Sequence, residues 1–230
     1  MVRDRFGPGK PARALVELAV PLRCAGCARH GAVLCADCDG EFGRLRRVRP
    51  GLLAESPPVY ALGRYRGGAR RAVLAYKEYG RRDLVRPLGD RLARAVGTVR
   101  GECVEFPDEG PFRMVPVPSR PAAVRARGGA HLVRLAHRAA RCLGEDAVVD
   151  DRLRLSRVSR DSVGLDATRR LDNIRRGLRV RAPRAPRRGE PVVVLDDVVT
   201  TGATVSCCVD ALGADGTRVV AVVVLAAARG

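Results

Sequence analysis

The sequence predicts an α/β protein with a central parallel sheet that helices cover on both faces. Residues 192–195 and 219–225 are apolar at every position and consist mostly of β-branched valines. Strands of a parallel sheet read as continuous apolar runs because both of their faces are buried. Elsewhere in the chain, apolar residues recur at the spacing of a helical face. Apolar strands that alternate with amphipathic helices are typical of the α/β class.

The apolar spacing also predicts one further strand and four helices. Residues 114–117 form a short apolar strand that ends at Pro118. A later helix presents Val205, Cys208, Val209 and Leu212 and is predicted to end at Gly213. Three earlier helical faces consist of Ala69, Val73 and Tyr76; of Val85, Leu88, Leu92, Ala95 and Val96; and of Leu132, Leu135, Ala136, Ala139 and Leu143.

Composition limits the classes of protein to which the chain can belong. With 230 residues, of which 46% are hydrophobic and 30% charged, it is expected to be globular and to bury a core. The net charge of +18 rests almost entirely on arginine, because Lys10 and Lys77 are the only lysines. Either a basic surface binds phosphates or nucleic acid, or a codon bias scatters arginine over solvated positions. We favour codon bias as the main source, since the arginines occur along the whole chain.

The sequence predicts neither a membrane span nor a secretion signal. Residues 14–22 are short and contain Glu17, and no clear cleavage site follows Val20. Residues 219–228 cover about half the length that a transmembrane helix needs. We therefore expect a cytoplasmic protein, in which thiols stay reduced.

Two CxxC pairs near the N-terminus predict a structural zinc site. Cys24 and Cys27 form the first pair, Cys35 and Cys38 form the second, and seven residues separate the pairs. Two such turns can present four thiolates to one tetrahedral ion, which leaves no open position for chemistry. Disulfides or a metal-free remnant are the alternatives. The remaining cysteines lack this spacing and are predicted to be small buried hydrophobic residues: Cys103, Cys142, Cys207 and Cys208.

A change of composition near residues 46–58 indicates a domain boundary. Basic residues give way there to Pro50, Gly51, Pro57 and Pro58. We predict a zinc-binding module with its linker in residues 1–56 and the α/β domain in residues 57–230.

The strongest functional signal is residues 192–204, VVVLDDVVTTGAT. An apolar strand delivers Asp196 and Asp197 to its carboxyl end, where α/β sheets bind ligands. A loop of small residues then opens a helix, and its N–H groups, its hydroxyls and the helix dipole can bind a phosphate. The loop residues are Thr200, Thr201, Gly202, Ala203 and Thr204. The carboxylates can accept hydrogen bonds from ribose hydroxyls and stabilise positive charge at the anomeric carbon, so we assign them the catalytic role.

This string resembles the phosphoribosyl-diphosphate (PRPP) signature of the type I phosphoribosyltransferases over all thirteen residues. A pair of aspartates after a strand also occurs in metal-binding phosphatase and kinase centres. Those centres lack the Thr-Thr-Gly-x-Thr continuation that is present here.

The rest of the chain resembles the ComF (competence protein F) family, which joins an N-terminal zinc module to a type I phosphoribosyltransferase domain. The resemblance rests on residues 60–68 (YALGRYRGG), 77–80 (KEYG) and 115–120 (VPVPSR). It implies a type I phosphoribosyltransferase fold, with a central parallel sheet flanked by helices and a small four-cysteine module that is similar to a zinc ribbon. It also implies that Lys77, Ser119 and Arg120 contact PRPP, although Lys77 could equally be a solvated helix residue.

Other parts of the resemblance are weaker. A basic segment would serve as a flexible loop over the active site, with Arg154, Arg157, Leu165, Arg170 and Asn173 as the matching residues. Many family members read Arg-Gly-Phe-Asn-Gln where residues 127–131 read RGGAH, and Thr-x-x-Gln where Ser159 and Ser162 stand. These departures lie in the parts that would recognise pyrophosphate or an acceptor, so they affect the identity of the substrate and not the fold. His131 and His137 do not share a helical face, and we predict that neither is catalytic.

Two functions are compatible with these patterns. The first is a transferase, specifically a glycosyltransferase, that moves phosphoribosyl from PRPP to an unknown acceptor and releases pyrophosphate, with Mg²⁺ bridging the pyrophosphate and the ribose. The second, which the family resemblance implies, is a non-catalytic partner of the DNA-uptake machinery of competence, which uses the fold as a ligand sensor or scaffold and contacts protein or single-stranded DNA. The scarcity of aromatic residues, 3%, weakens direct single-strand binding. The oligomeric state stays open.

Overall fold

The structure is a computed structural model that describes residues 22–53, 57–156, 167–181 and 190–228, with the backbone alone at 167–171. Its helices are α1 (Ala36–Gly40), α2 (Gly67–Lys77), α3 (Val85–Glu102), α4 (Pro121–Ala126), α5 (His131–Leu143), α6 (Ala167–Gly177) and α7 (Ala203–Ala214), with a 3-10 turn at Arg82–Leu84. Its strands are β1 (Arg46–Val48), β2 (Val59–Arg64), β3 (Phe112–Pro116), β4 (Ala147–Val149), β5 (Leu153–Leu155), β6 (Leu178–Val180), β7 (Val192–Val199) and β8 (Val219–Ala227).

Six strands form one sheet in the order β1-β2-β8-β7-β3-β4. All neighbours are parallel except β1, which pairs antiparallel with the edge of β2. Strands β5 and β6 form a separate antiparallel ribbon. The predicted α/β class with a mostly parallel sheet flanked by helices is confirmed.

The core explains why the two continuous apolar runs became central strands. Nearly every residue of β7 and β8 is buried, so both faces of the sheet are covered. The predicted helical faces also turn inward, and Val73, Leu88, Leu92 and Leu135 are almost fully buried. Helix α7 continues through Gly213 to Ala214, one residue beyond the predicted end.

The connections place two loops side by side at the carboxyl ends of two neighbouring strands. Strands β3 and β7 are neighbours, yet the chain leaves β3 toward β4 on one side and leaves β7 toward β8 on the other. Such a reversal of strand order opens a crevice beyond the carboxyl ends of the two strands, where α/β proteins bind ligands. The loop after β3 contains Ser119 and Arg120, and the loop after β7 contains Thr200 and Thr201.

Residues 22–43, here the cysteine module, are held against the helices that follow. Both carboxylate oxygens of Glu41 accept from backbone N–H groups at the start of α2, Gly68 at 2.9 Å and Ala69 at 3.0 Å. The Arg91 guanidinium on α3 forms a two-pronged ion pair with Asp39. These charge-assisted contacts join the module to α2 and α3. Within the described ranges, no helix combines the length and apolarity needed to cross a bilayer.

Candidate active site and metal centre

The aspartate pair lies inside β7, not after it as the sequence indicated, because the strand continues to Val199. Side chains alternate along a strand, so Asp196 and Asp197 leave the backbone on opposite faces. Asp197 is 4% exposed, whereas Asp196 keeps more contact with solvent. The Oδ1 atom of Asp196 also accepts from the backbone N–H of Asp197 at 2.8 Å. The two carboxylates therefore have different surroundings.

Asp197 is clamped between two basic side chains from distant elements. Lys77, the last residue of α2, lies with Nζ 2.8 Å from Oδ2 and 3.1 Å from Oδ1. His131, the first residue of α5, lies with Nε2 2.7 Å from Oδ2. Burial on its own would raise the pKa of Asp197, but the hydrogen bond from His131 and the charge of Lys77 outweigh it and hold that pKa below the usual range. Asp197 is thus a buried, ionised carboxylate.

The pKa of Asp196 is shifted in the opposite direction. Burial and the negative charge of Asp197 raise the pKa of Asp196 well above its usual value, and the more distant charge of Lys77 only partly opposes this. Two adjacent carboxylates whose pKa values diverge in this way are typical of functional sites. The pair therefore combines one fixed charge with one group that can hold a proton.

His131 lies in this site, although the sequence prediction did not place it there. Its ring nitrogen Nδ1 lies 3.3 Å from Ser119 Oγ and 3.4 Å from an Arg127 nitrogen. Because arginine can only donate, Nδ1 accepts and the ring proton lies on Nε2, facing Asp197. The Tyr76 hydroxyl donates to the His131 carbonyl at 2.6 Å and fixes the start of α5. Comparing His131 with His137 on one helix could not reveal partners that lie on other elements.

Six predicted site residues surround one cavity of about 310 Å³ at the carboxyl ends of β3 and β7. They are Lys77, Ser119, Arg120, Asp196, Asp197 and Thr204. The sequence prediction missed Arg127, His131, Leu155 and Ile174, which also line the cavity. Basic groups and the acidic pair occupy one space, which suits a ligand that carries both phosphate and hydroxyl groups.

The remaining loop residues surround a smaller neighbouring cavity of about 110 Å³, with Asp196 at its border. Gly202 adopts φ of +84°, a left-handed conformation that favours glycine, directly before α7. A methyl group there would lie 2.9 Å from Pro50 Cβ and 3.0 Å from Leu53 Cδ1. The first N–H groups of α7 point toward this loop, as the start of any helix requires. The loop is a candidate anion cradle, and the segment after β1 supports it, since the Leu52 N–H donates to the Thr201 carbonyl at 3.1 Å.

The described part of the predicted basic loop lies in regular elements. Arg154 lies in β5 and pairs with Asp151 at 2.5 Å, and Asn173 lies in α6. Arg157, Ser159, Ser162 and Leu165 lie outside the described residues, as does the side chain of Arg170. The ends of this segment reach the larger cavity through apolar side chains, Leu155 and Ile174.

The four N-terminal cysteines form a candidate metal centre. Their Sγ atoms all lie within 4.8 Å of one another. Cys35 Sγ lies 3.5 Å from Cys24 Sγ and 3.6 Å from Cys27 Sγ, close to the roughly 3.8 Å that a tetrahedral site with zinc–sulfur bonds of about 2.3 Å requires. Backbone N–H groups of Gly26 and Cys35 donate to Cys24 Sγ at 3.4 and 3.3 Å, and such N–H donors orient and stabilise a metal-bound thiolate. The cluster could bind a metal such as zinc.

The four other cysteines do not share one environment. Cys103, Cys207 and Cys208 are buried, as predicted. The prediction was wrong for Cys142, which is exposed near the end of α5 with its thiol 3.4 Å from Asp90. It lies in the last turn of α5, three residues beyond Ala139, which is the last buried residue of that helix.

In comparisons with known sequences, the chain matches no protein-family model and no curated protein.

Proposed function

We propose that this protein binds PRPP and is a ComF-like phosphoribosyltransferase that releases pyrophosphate. The observation that carries the proposal is the placement of the Asp196–Asp197 pair beside the glycine-containing cradle at the reversal of strand order. A sugar 5-phosphate in the smaller cavity would bring its ribose to the aspartates at the border of the larger one. This arrangement favours PRPP over a metal-dependent phosphatase substrate.

Each described side chain has a role in the proposed reaction. Asp196 keeps access to both cavities and accepts hydrogen bonds from ribose hydroxyls. Asp197 carries a charge that Lys77 and His131 preserve, and it stabilises the positive charge that develops on the ribose as pyrophosphate leaves. Lys77 and Arg120 supply cations on the pyrophosphate side of the cavity. Mg²⁺ bound together with PRPP would neutralise charge on the pyrophosphate.

Calorimetry with PRPP and Mg²⁺ tests the binding step. We expect Asp197→Asn to weaken PRPP binding at least about tenfold, or about 1.4 kcal/mol, because the substitution removes the fixed charge and keeps the shape. The exposed Asp108→Asn is the matched control and should bind like the parent. An unchanged binding heat in Asp197→Asn, or no binding by the parent, would refute the site assignment.

The transfer step requires its own assay. We expect pyrophosphate release when PRPP is combined with the correct member of a panel of nucleobases and amines. PRPP binding without release across the panel would favour the alternative, a ligand sensor in the DNA-uptake machinery.

We further propose that the cysteine module holds one structural zinc ion. Four thiolates saturate the ion, so it supports folding and has no position for a substrate. Elemental analysis should find one zinc per chain, and Cys27→Ser should lose it. Cys142 is also exposed, and Cys142→Ser should retain the zinc. A folded, metal-free parent protein would contradict the proposal.

A further inference from the structure

Four arginines converge on a second cavity, of about 350 Å³, at the outer edge of the sheet. Arg46 extends from β1 and Arg64 from the end of β2, while Arg44 and Arg66 flank these strands. Antiparallel pairing of β1 with β2 brings the arginines of one strand close to those of the other, since Arg46 lies opposite Ala61 in the ladder. Like charges gathered in one concave space repel each other unless an anion joins them.

Acidic partners do not neutralise this cluster within the described residues. Among the described residues, none of the four guanidinium groups forms an ion pair or a side-chain hydrogen bond. The Nε atom of Arg46 is buried without a hydrogen-bond partner in this part of the chain. Glu41 is the one acid in the cavity lining, and both of its oxygens already accept backbone N–H groups of α2. Burial and the charges of Arg64, Arg44 and Arg66 lower the pKa of Arg46, as expected for an uncompensated cation. A buried donor without an acceptor is costly, and a ligand oxygen would satisfy it.

We propose that this arginine cavity is a binding site for a small, multiply charged phosphate anion of the size of a di- or triphosphate. Arginine donates in a planar fork that matches phosphate oxygens, and four forks around one cavity suit several phosphoryl groups better than one. The cavity volume of about 350 Å³ accommodates such a chain. The described residues that line the cavity include no aromatic side chain on which a base could stack.

The site is separate from the proposed PRPP site. Arg66 directly precedes α2 and Lys77 ends it, so the 11 residues of the helix separate the two sites by about 16 Å. The inference therefore stands or falls independently of PRPP binding.

Arginine modification read by mass spectrometry provides a local test. Phenylglyoxal is applied to the full chain with and without inorganic tripolyphosphate, and the modification of Arg46 and Arg64 is compared with that of exposed Arg94 on α3. We expect tripolyphosphate to protect Arg46 and Arg64 and to leave Arg94 unchanged. Asp197→Asn should show the same protection, which separates this site from the PRPP site.

Calorimetry supplies the second measurement and its matched control. Arg46→Gln/Arg64→Gln should weaken tripolyphosphate binding at this site about tenfold or more, whereas Arg94→Gln/Arg141→Gln removes the same charge from exposed positions and should change it less than about twofold. Repeating the phenylglyoxal modification with oligothymidylate in place of tripolyphosphate distinguishes a free phosphate from a nucleic-acid backbone. Protection by tripolyphosphate supports the proposal. Protection by oligothymidylate alone, protection by neither, or equal weakening in both double variants overturns it.

Discussion

Lys77 and Asp197, 120 residues apart in the sequence, form an ion pair with 2.8 Å between Nζ and Oδ2 at the centre of the candidate site. The Asp197 side chain is 5% exposed and the Lys77 side chain 32% exposed, so water screens the pair from one side only. Helix α2 thus ends at the carboxylate that the sequence predicts to be functional. The pair links the element that contacts the cysteine module to the central strand β7.

Lys77→Met should destabilise the protein at neutral pH. Removing one partner of a buried pair costs about 3–5 kcal/mol, and the exposure of Lys77 reduces the expected loss to about 1–3 kcal/mol. The lowered pKa of Asp197 stabilises the fold above pH 3.8, and this contribution is lost as the pH falls. Urea unfolding at pH 7 and at pH 3 should therefore show a difference between parent and variant that shrinks in acid. A difference that is constant with pH would argue against an ionised Asp197.

Asp196→Asn should stabilise the protein at pH 7. The raised pKa of Asp196 means that the folded state holds its proton more tightly than the unfolded chain does. The stability of the parent therefore falls as the pH rises past 3.8, and the variant avoids this loss. We expect the melting midpoint to rise by a few degrees at pH 7, since about 1 kcal/mol corresponds to about 2–4 °C in a chain of this size, and the gain should vanish near pH 4. The exposed Asp108→Asn should show no such gain at any pH.

His131→Ala should lower stability by about 1–3 kcal/mol, because it removes a hydrogen bond to a buried carboxylate. His137 lies on the same helix with an exposed side chain, so His137→Ala should stay within about 0.5 kcal/mol of the parent. Chemical denaturation measures both variants. Equal effects would mean that the Asp197 contact contributes nothing.

Gly202→Ala should cost about 1–3 kcal/mol and disturb the loop. The position has φ of +84°, and the added methyl group would press on Pro50 and Leu53. Gly213→Ala is the matched control on α7, where a methyl group meets no atom within 4 Å and helix propensity predicts a gain of about 0.5–1 kcal/mol. Thermal unfolding should move in opposite directions for the two variants. A shift in the same direction would contradict the backbone constraint at Gly202.

The long elements could be predicted from the sequence and the short ones could not. Strands β7 and β8 are apolar along most of their length, and burial on both faces imposes that pattern locally. Strands β1, β4, β5 and β6 have three residues each, too few for any period to appear. Their pairing depends on neighbours that are distant in the chain.

The candidate site divides in the same way. The sequence by itself determined the Asp196–Asp197 pair, the loop of residues 200–204 and the four cysteines, because each is a local run whose spacing carries its chemistry. Only the tertiary structure decided that His131 and Lys77 both contact Asp197, that the two aspartates differ in pKa, and that arginines from β1 and β2 share one cavity. Charges interact through space over a few ångströms, whatever their separation along the chain. The folded sheet therefore sets those partners, and no spacing along the chain records them.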